Sequence, residues 1–316
     1  MSVNMQAFIL TGTNGPDSLQ LANVPTPTPG PADVLIRVKA ISINPVDYKT
    51  ARGKAMWGQL SAQPPVIDGW DVAGEVIEVG SSVTEFKPGD AVFGMVNFPG
   101  AGRAYAEYVT APAAHLAHQP DNVPIEDAVA ATLAALTAWQ VIHKADVQAG
   151  QRVLVNAAAG GVGHYVVQFA KERGAYVIGT ASTAKLDFVR SLGADEVIDY
   201  TQGPFENVVQ PVNFVFDPVG GQNPMRSLAI IKPGGKLITI AGGITPELTE
   251  QAKAATIDAS ALMVASNGAD QTAIAERLAD GRLHSHVSQT FPFAQLPDAL
   301  RQVETGKTQG KVVVVV

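Results

Sequence analysis

Residues 152–171 read RVLVNAAAGGVGHYVVQFAK, and this stretch decides the fold. A short aliphatic run, 152–156, is expected to be a strand. It feeds a turn of small residues containing Gly160, Gly161 and Gly163, and a helix with apolar periodicity follows at once. This is a variant of the dinucleotide fingerprint, with Ala158 where the first glycine usually stands. Such a turn must be tight, and its backbone must approach a pyrophosphate closely. The helix N-terminus then offers unpaired N–H groups and a partial positive charge to the anion. A Cβ on Gly161 or Gly163 would obstruct that approach or the packing of strand on helix. Small residues that merely let a helix lie on a sheet are the alternative. The position of the turn inside a strand–helix series favours nucleotide binding, with Ala159, Gly160, Gly161, Val162 and Gly163 as contacts.

Outward from the turn, strands are expected at 176–180, 213–217 and 236–241, and helices near 163–173, 184–192, 225–231 and 270–279. A further helix starts near Pro124, where Glu126 and Asp127 favour its positive end. Alternating strands and helices imply a parallel sheet covered on both faces. Before about Asp121 the style differs: short strands at 33–43, 72–80, 91–94 and 104–110 are punctuated by Pro and Gly turns. That style suggests a small barrel-like β unit. It returns after about Leu283 with HSHVSQTF (284–291), a helix at 294–304 and KVVVVV (311–316). So apolar a last strand needs burial, so the tail is expected to pack back on the N-terminal unit. The result is an α/β chain: a β-rich domain from 1–123 and 283–316, and a doubly wound parallel sheet in 124–282.

Composition narrows the chemistry. The 316 residues are 46% hydrophobic and 16% charged, which suits a folded two-domain protein. Net charge is −7 with no basic block, so no nucleic-acid partner is expected. The longest apolar runs, such as Val312 to Val316, are too short to span a bilayer. The opening MSVNMQAFIL lacks the basic start and long apolar stretch of a signal peptide, so a cytoplasmic location is expected. There is no cysteine, which excludes disulfides, thiolate nucleophiles and Cys-ligated zinc.

Enzymes that use NAD usually place Asp or Glu about 20 residues beyond the glycines, on the ribose 2′-hydroxyl. Here the corresponding residues are Thr180, Ala181, Ser182, Thr183, Ala184 and Lys185, with no acid before Asp187. Ser182 could donate to a 2′-phosphate and Lys185 supply charge, so NADPH is the expected cofactor. Ser182 could equally cap a helix and Lys185 be solvated, and the two readings are compatible.

A series of short motifs now accumulates: VPTPTPGPADVLI (24–36), SINPVDYK (42–49), DGWDVAGEVIEVG (68–80), KPGDAVFG (87–94), AYAEYV (104–109), LTAW (136–139), AAGGVG (158–163), LGADEVIDY (192–200), DPVGG (217–221) and GKVVVVV (310–316). In this order they resemble the medium-chain dehydrogenase/reductase superfamily, in its zinc-free quinone oxidoreductase and alkenal/enone reductase branch. The resemblance spans nearly the whole chain. It implies a GroES-like catalytic domain interrupted by a Rossmann domain, with the nicotinamide in the cleft between them. It also implies a homodimer paired through the Rossmann sheet edge. Zinc-dependent relatives carry Cys near the Asn-Pro position and His in a Gly-His-Glu motif. Here those places hold Asn44 and Gly69–Trp70–Asp71. The six histidines, His115, His118, His284 and His286 among them, are assigned to surface or packing roles, and no metal is expected.

Without a Lewis acid, conjugate reduction is the chemistry needing least help, because the acceptor delocalises the incoming charge. The substrate implied is therefore a small quinone or enone. The resemblance assigns Asn44, Tyr48 and Lys49 to the catalytic site. Asn44 would line the nicotinamide or acceptor, the Tyr48 phenol would orient the acceptor or donate a proton, and Lys49 would reach the nicotinamide ribose. Asp47 would hold a turn, and Asn-Pro-Val-Asp is also simply a good turn. Thr137, taken to precede a helix, would contact cofactor or cap that helix. Tyr200 would stack near adenine. Val219 and Gly220, with Ala241 and Gly242, would touch cofactor through their backbone at the carboxyl edge of the sheet. Lys311 resembles a tail lysine near the phosphates, with a surface charge as the alternative. Two other functions remain open at this point: an enoyl-thioester reductase, and a non-catalytic NADPH-binding sensor or structural protein.

Overall fold

The structure, a computed structural model, describes residues 4–316. The chain forms two compact units, Met1–Leu136 with Val264–Val316, and Thr137–Met263.

The first unit opens with β1 (Asn4–Leu10) and β2 (Leu19–Pro25), an antiparallel hairpin. It continues with β3 (Asp33–Ile43), β4 (Asp71–Val79), β5 (Ala91–Met95), β6 (Tyr108–Pro112) and β7 (Ala117–His118). β3 is the spine of this unit. Arg37 and Lys39 point to solvent while their neighbours are buried, the alternation of a half-buried strand. One side of β3 pairs with β4. The other side is long enough for two partners end to end: β6 covers Asp33–Arg37, and the tail strand covers Ala40–Ile43.

The second unit contains β8 (Arg152–Val155), β9 (Tyr176–Ala181), β10 (Glu196–Asp199), β11 (Val212–Asp217), β12 (Ile231–Thr239) and β13 (Asp258–Ala261). All are parallel, in the order β10-β9-β8-β11-β12-β13. Counted from β8 this is 3-2-1-4-5-6, the Rossmann order. Leu154, Ile178, Val215 and Leu237, one on each of the four inner strands, share one buried cluster. The outer strands β10 and β13 carry no run of buried residues, so an apolar pattern does not announce them.

The chain then returns to the first unit through β14 (Val287–Pro292) and β15 (Lys311–Val315). Val312, Val313 and Val314 are fully buried between β14 and β3, so the tail is covered as its composition requires.

Several local expectations change. The unit boundaries fall at 136/137 and 263/264, not at 124 and 282. The helices Ile125–Ala130 and Gly268–Ala279 both belong to the first unit, tied in by Gln271 Nε2 donating to Ala131 O at 3.1 Å and Asn122 Nδ2 donating to Ala279 O at 2.7 Å. The strand expected from 104 begins only at Tyr108. Arg103 has a φ of 56°, and the N–H groups of Ala104 and Tyr105 bond the carbonyls of Gly69 and Asp68 outside any ladder. Thr137 does not precede a helix; it lies within Leu133–Ala145. Asn-Pro-Val-Asp is not a bare turn either, because it starts the helix Pro45–Ala51.

Candidate functional site

In the second unit the glycine-rich turn leaves β8 and enters the helix Gly163–Glu172. Ala157 takes a left-handed φ of 48°. Its carbonyl accepts the Gly160 N–H at 2.9 Å, and Gly160 O accepts the His164 N–H at 3.1 Å. A Cβ on Gly163 would stand 2.2 Å from Ala157 O and 2.9 Å from Ala158 Cα, both backbone, so only glycine fits. Ala158 stands in place of the first glycine, and its methyl faces a glycine, Gly179, on the neighbouring strand. A Cβ on Gly179 in β9 would lie 2.9 Å from the Ala158 methyl and 2.5 Å from Val189 Cγ1.

The other expected cofactor residues of this unit gather along the same carboxyl edge of the sheet. Val219, Gly220 and Gly221 follow β11, and Ala241, Gly242 and Gly243 follow β12. Gly220, Gly221, Gly242 and Gly243 all have left-handed φ, between 61° and 79°. Open space surrounds the Cβ positions of Gly221, Gly242 and Gly243. Buried Asp217 shapes the first of these loops. Its Oδ2 accepts from Gly220 N at 2.9 Å and from Thr239 Oγ1 at 3.0 Å. Burial pushes this carboxyl up, and those hydrogen bonds pull the other way. Val219 and Tyr200 are each 54% exposed. Thr137 is buried in its helix and holds no cap position.

Ser182 precedes a short 3-10 turn, Thr183–Lys185, and its carbonyl accepts the Lys185 N–H at 2.8 Å. Lys185 is partly buried, and desolvation lowers the pKa of its ammonium. Counting along the chain missed one acid here. Asp199, the last residue of β10, pairs in register with Ala181. Its Oδ2 accepts from Thr183 Oγ1 at 2.5 Å, and its Oδ1 accepts from Thr201 N at 2.9 Å and Thr201 Oγ1 at 2.6 Å. Both oxygens are engaged, and the Thr183 bond leads in holding this carboxyl below the usual range. The signal was present in IDY at 198–200, but it arrives from the next strand rather than the one being counted.

These features fit a dinucleotide: a turn closed to a side chain at Gly163, left-handed glycines with open space beside them, and exposed apolar side chains on the same edge.

The first unit holds a second concentration of polar groups, all buried: Asn44, Asp47, Asp68, Asp71, Tyr105 and Lys311. Lys311 is neither a surface charge nor an exposed phosphate ligand. Its Nζ donates to Ile43 O at 2.9 Å and to Asn44 Oδ1 at 2.5 Å, and lies 3.9 Å from Asp71 Oδ2. Asn44 Nδ2 donates to Asp71 Oδ2 at 2.7 Å, so both ends of the amide are committed inside the unit. Asn44 therefore anchors the junction of β3 and the helix Pro45–Ala51, and a bare lining role gives way to that. Asp71 Oδ1 accepts the Leu133 N–H at 2.9 Å, at the start of the helix Leu133–Ala145.

Asp47 Oδ2 accepts from Asn44 N at 2.7 Å and from Tyr105 Oη at 2.9 Å. Asp68 Oδ1 accepts from Gly69 N at 2.9 Å. Asp47 Oδ1 and Asp68 Oδ2 are buried with no hydrogen-bond partner. Burial pushes Asp47 up to about 7, with the Asp71 charge adding to it, and pushes Asp68 well above the carboxylate range, with the Asp47 charge adding to it. Asp71 is raised by burial against the pull of Lys311, and Lys311 is lowered by burial against the pull of Asp71.

Tyr48 and Lys49 ride on the helix that this network anchors. Tyr48 is partly exposed, and burial followed by the Glu304 charge raises its phenol pKa. Lys49 is exposed. Trp70, at the place of a zinc-ligand histidine, is wholly buried, donates from Nε1 to Gly100 O at 2.7 Å and meets the Phe98 ring edge-on at 5.3 Å. The histidines take separate packing partners: His115 Nδ1 accepts from Asn97 N at 3.2 Å, and His118 packs on Phe86 at 4.8 Å. Among the described residues no group of three or more His, Cys, Asp or Glu converges on a point that could hold a metal.

Residues 30–121 match the family model described as alcohol dehydrogenase GroES-like domain, and residues 192–314 match the one described as zinc-binding dehydrogenase. The chain belongs to the medium-chain dehydrogenase/reductase superfamily, a class of oxidoreductases built around a nicotinamide cofactor. Among its relatives, it is 35% identical to the Arabidopsis thaliana NADPH-dependent alkenal/one oxidoreductase, chloroplastic, over 98% of this chain and 79% of that protein. It is 33% identical to the Solanum lycopersicum 2-methylene-furan-3-one reductase, with the same shares covered. The structure of the quinone oxidoreductase from Coxiella burnetii superposes with a TM-score of 0.95 at 33% identity, covering 99% of this chain and all of that one. The second family description names zinc, but at the expected ligand places this chain has Asn44 and Trp70, and it has no cysteine. No described helix is long and apolar enough to cross a membrane.

Proposed function

We propose that this chain is an NADPH-dependent reductase that delivers hydride to small quinones or α,β-unsaturated carbonyl compounds without zinc. One observation carries the cofactor choice. The edge beyond β9 presents Ser182 and a partly desolvated Lys185, while the acid that reaches this edge, Asp199, has both oxygens engaged by threonines. A 2′-phosphate suits a hydroxyl and a lysine, whereas a 2′-hydroxyl calls for an available carboxylate. The acceptor class follows from the named relatives and from a first unit that offers buried Trp70 where a metal ligand would be.

When bound, NADPH supplies the hydride. The backbone of Ala159 to Gly163 would face its pyrophosphate, with Ser182 and Lys185 at the 2′-phosphate and Tyr200 beside the adenine. Val219, Gly220, Ala241 and Gly242 would line the rest of the edge, and Lys49 would reach a ribose. Tyr48 would hold the acceptor oxygen and return a proton to it. A phenol is protonated at neutral pH, and burial followed by the Glu304 charge raises this one's pKa further.

The direct test is NADPH oxidation measured against a panel of quinones, enones and enoyl thioesters, with NADH run in parallel. Turnover on quinones or enones supports the reading. Activity confined to thioesters would replace the acceptor class, and binding without turnover on any acceptor would leave a sensor. Lys185→Ala is expected to raise KM for NADPH about tenfold and leave KM for NADH unchanged, because only the phosphate contact is lost. Tyr48→Phe is expected to lower kcat about 100-fold while the Kd for NADPH holds, the signature of a lost proton donor. An unchanged kcat would hand that step to solvent.

A further inference from the structure

The fingerprint lacks its first glycine, yet the turn is tight, and its support comes from the next strand. Thr180, near the end of β9, is 3% exposed. Its carbonyl accepts the Ala158 N–H at 2.9 Å. Its hydroxyl accepts the Ala157 N–H at 3.2 Å and donates to Asn156 Oδ1 at 3.3 Å. One residue thus holds three successive residues of the turn. The middle one, Ala157, is in the left-handed region, which an alanine adopts only under constraint. Ala157 also carries the carbonyl that accepts from Gly160 and excludes a side chain at Gly163. Releasing Ala157 would turn that carbonyl and disturb the N–H groups at the start of the helix.

The geometry points to Thr180 as a positioning residue for the dinucleotide site: its hydroxyl, acting through Ala157 and Asn156, sets the turn that receives the pyrophosphate. The inference rests on the reading that this chain binds NADPH. It separates Thr180 from Ser182 two residues on. The Thr180 hydroxyl faces inward and is spent on the turn, so it takes no part in choosing between NADPH and NADH.

Thr180→Val keeps the shape and removes the hydroxyl, and Thr180→Ser keeps the hydroxyl. The Kd values for NADPH and for NADH, measured by titration calorimetry, are read beside KM, kcat and the melting temperature. Thr180→Val is expected to weaken both cofactors by the same factor, about tenfold, the worth of one lost hydrogen bond in a closed site. Its kcat at saturating NADPH should stay within about twofold of the unaltered protein, and Thr180→Ser should bind within about twofold as well. If Thr180→Val does not fold, Thr180→Ala carries the same comparison. Unchanged binding by the hydroxyl-free variant would overturn the inference alone. So would Thr180→Ser binding as weakly as Thr180→Val, or a loss confined to NADPH. Failure of the unaltered protein to bind either cofactor would overturn the functional reading and this inference with it.

Discussion

Gly163→Val is expected to abolish measurable NADPH binding and to destabilise the protein. The added Cβ would stand 2.2 Å from a backbone carbonyl and 2.9 Å from a backbone Cα, and neither can move without opening the turn. No side-chain rearrangement relieves such an overlap, so the helix must shift away from β8. Overpacking of this kind costs on the order of 1–3 kcal/mol or more, and here the shift would displace the N–H groups proposed to face the pyrophosphate. Titration calorimetry and urea unfolding check the two effects separately. Gly160→Ala is the control, because its Cβ would meet Ala157 O at 3.2 Å, a contact that a few tenths of an ångström relieve. It should bind NADPH with a Kd within about tenfold of the unaltered protein. Equal binding by Gly163→Val would mean that the turn does not hold the cofactor.

Stability should fall as pH rises from about 4 to about 7, and Asp47→Asn should remove much of that slope. The sign follows from linkage. A carboxyl whose folded pKa is raised binds its proton more tightly in the folded state. The folded state is then favoured below the unfolded pKa and loses that advantage up to the folded one. For Asp47 this interval runs from the ordinary aspartate value to about 7. Asp68 and Asp71 are raised as well and act in the same direction. The asparagine keeps an oxygen for Asn44 N–H and Tyr105 Oη and carries no charge to desolvate. At pH 8 it should be more stable than the parent by roughly 2–4 kcal/mol, and near pH 4 the two should be similar. Urea unfolding across that range decides it: parallel curves would show that Asp47 is ionised in the fold at neutral pH.

The two predictions rest on features that the sequence disclosed unequally. The turn at 158–163 could be read because its constraint is local: a strand, small residues and a helix lie in one contiguous stretch. β3 was expected at 33–43 and occurs at Asp33–Ile43, because one face is buried and alternation reports that directly. Both outer Rossmann strands lack such a face and are fainter in the sequence. The buried network was hidden for another reason. Lys311 and Asn44 touch across 267 positions, and Asn44 and Asp71 across 27. No local pattern reports that the lysine before five valines turns inward. A partial signal did exist: Asp68 and Asp71 stand in the otherwise apolar stretch VIDGWDVAG (66–74), and Lys311 opens a run of valines. Charges placed that way need one another. The sequence places Thr180 at the head of a hydroxyl edge, but only the register of β9 tells which threonine faces in.

The way β3 divides one side between β6 and the tail strand bears on the order of events during synthesis. Val312 to Val315 complete that side, and Lys311 brings the ammonium that sits beside Asp71. A nascent chain that has made β1 to β7 therefore holds an unfinished sheet and a carboxylate cluster without its cation. All six strands of the second unit lie in the uninterrupted segment Thr137–Met263 and pair in order with one another. The unit that starts the chain is thus the last to be closed, and the ribosome must deliver the middle of this protein before its beginning can be finished.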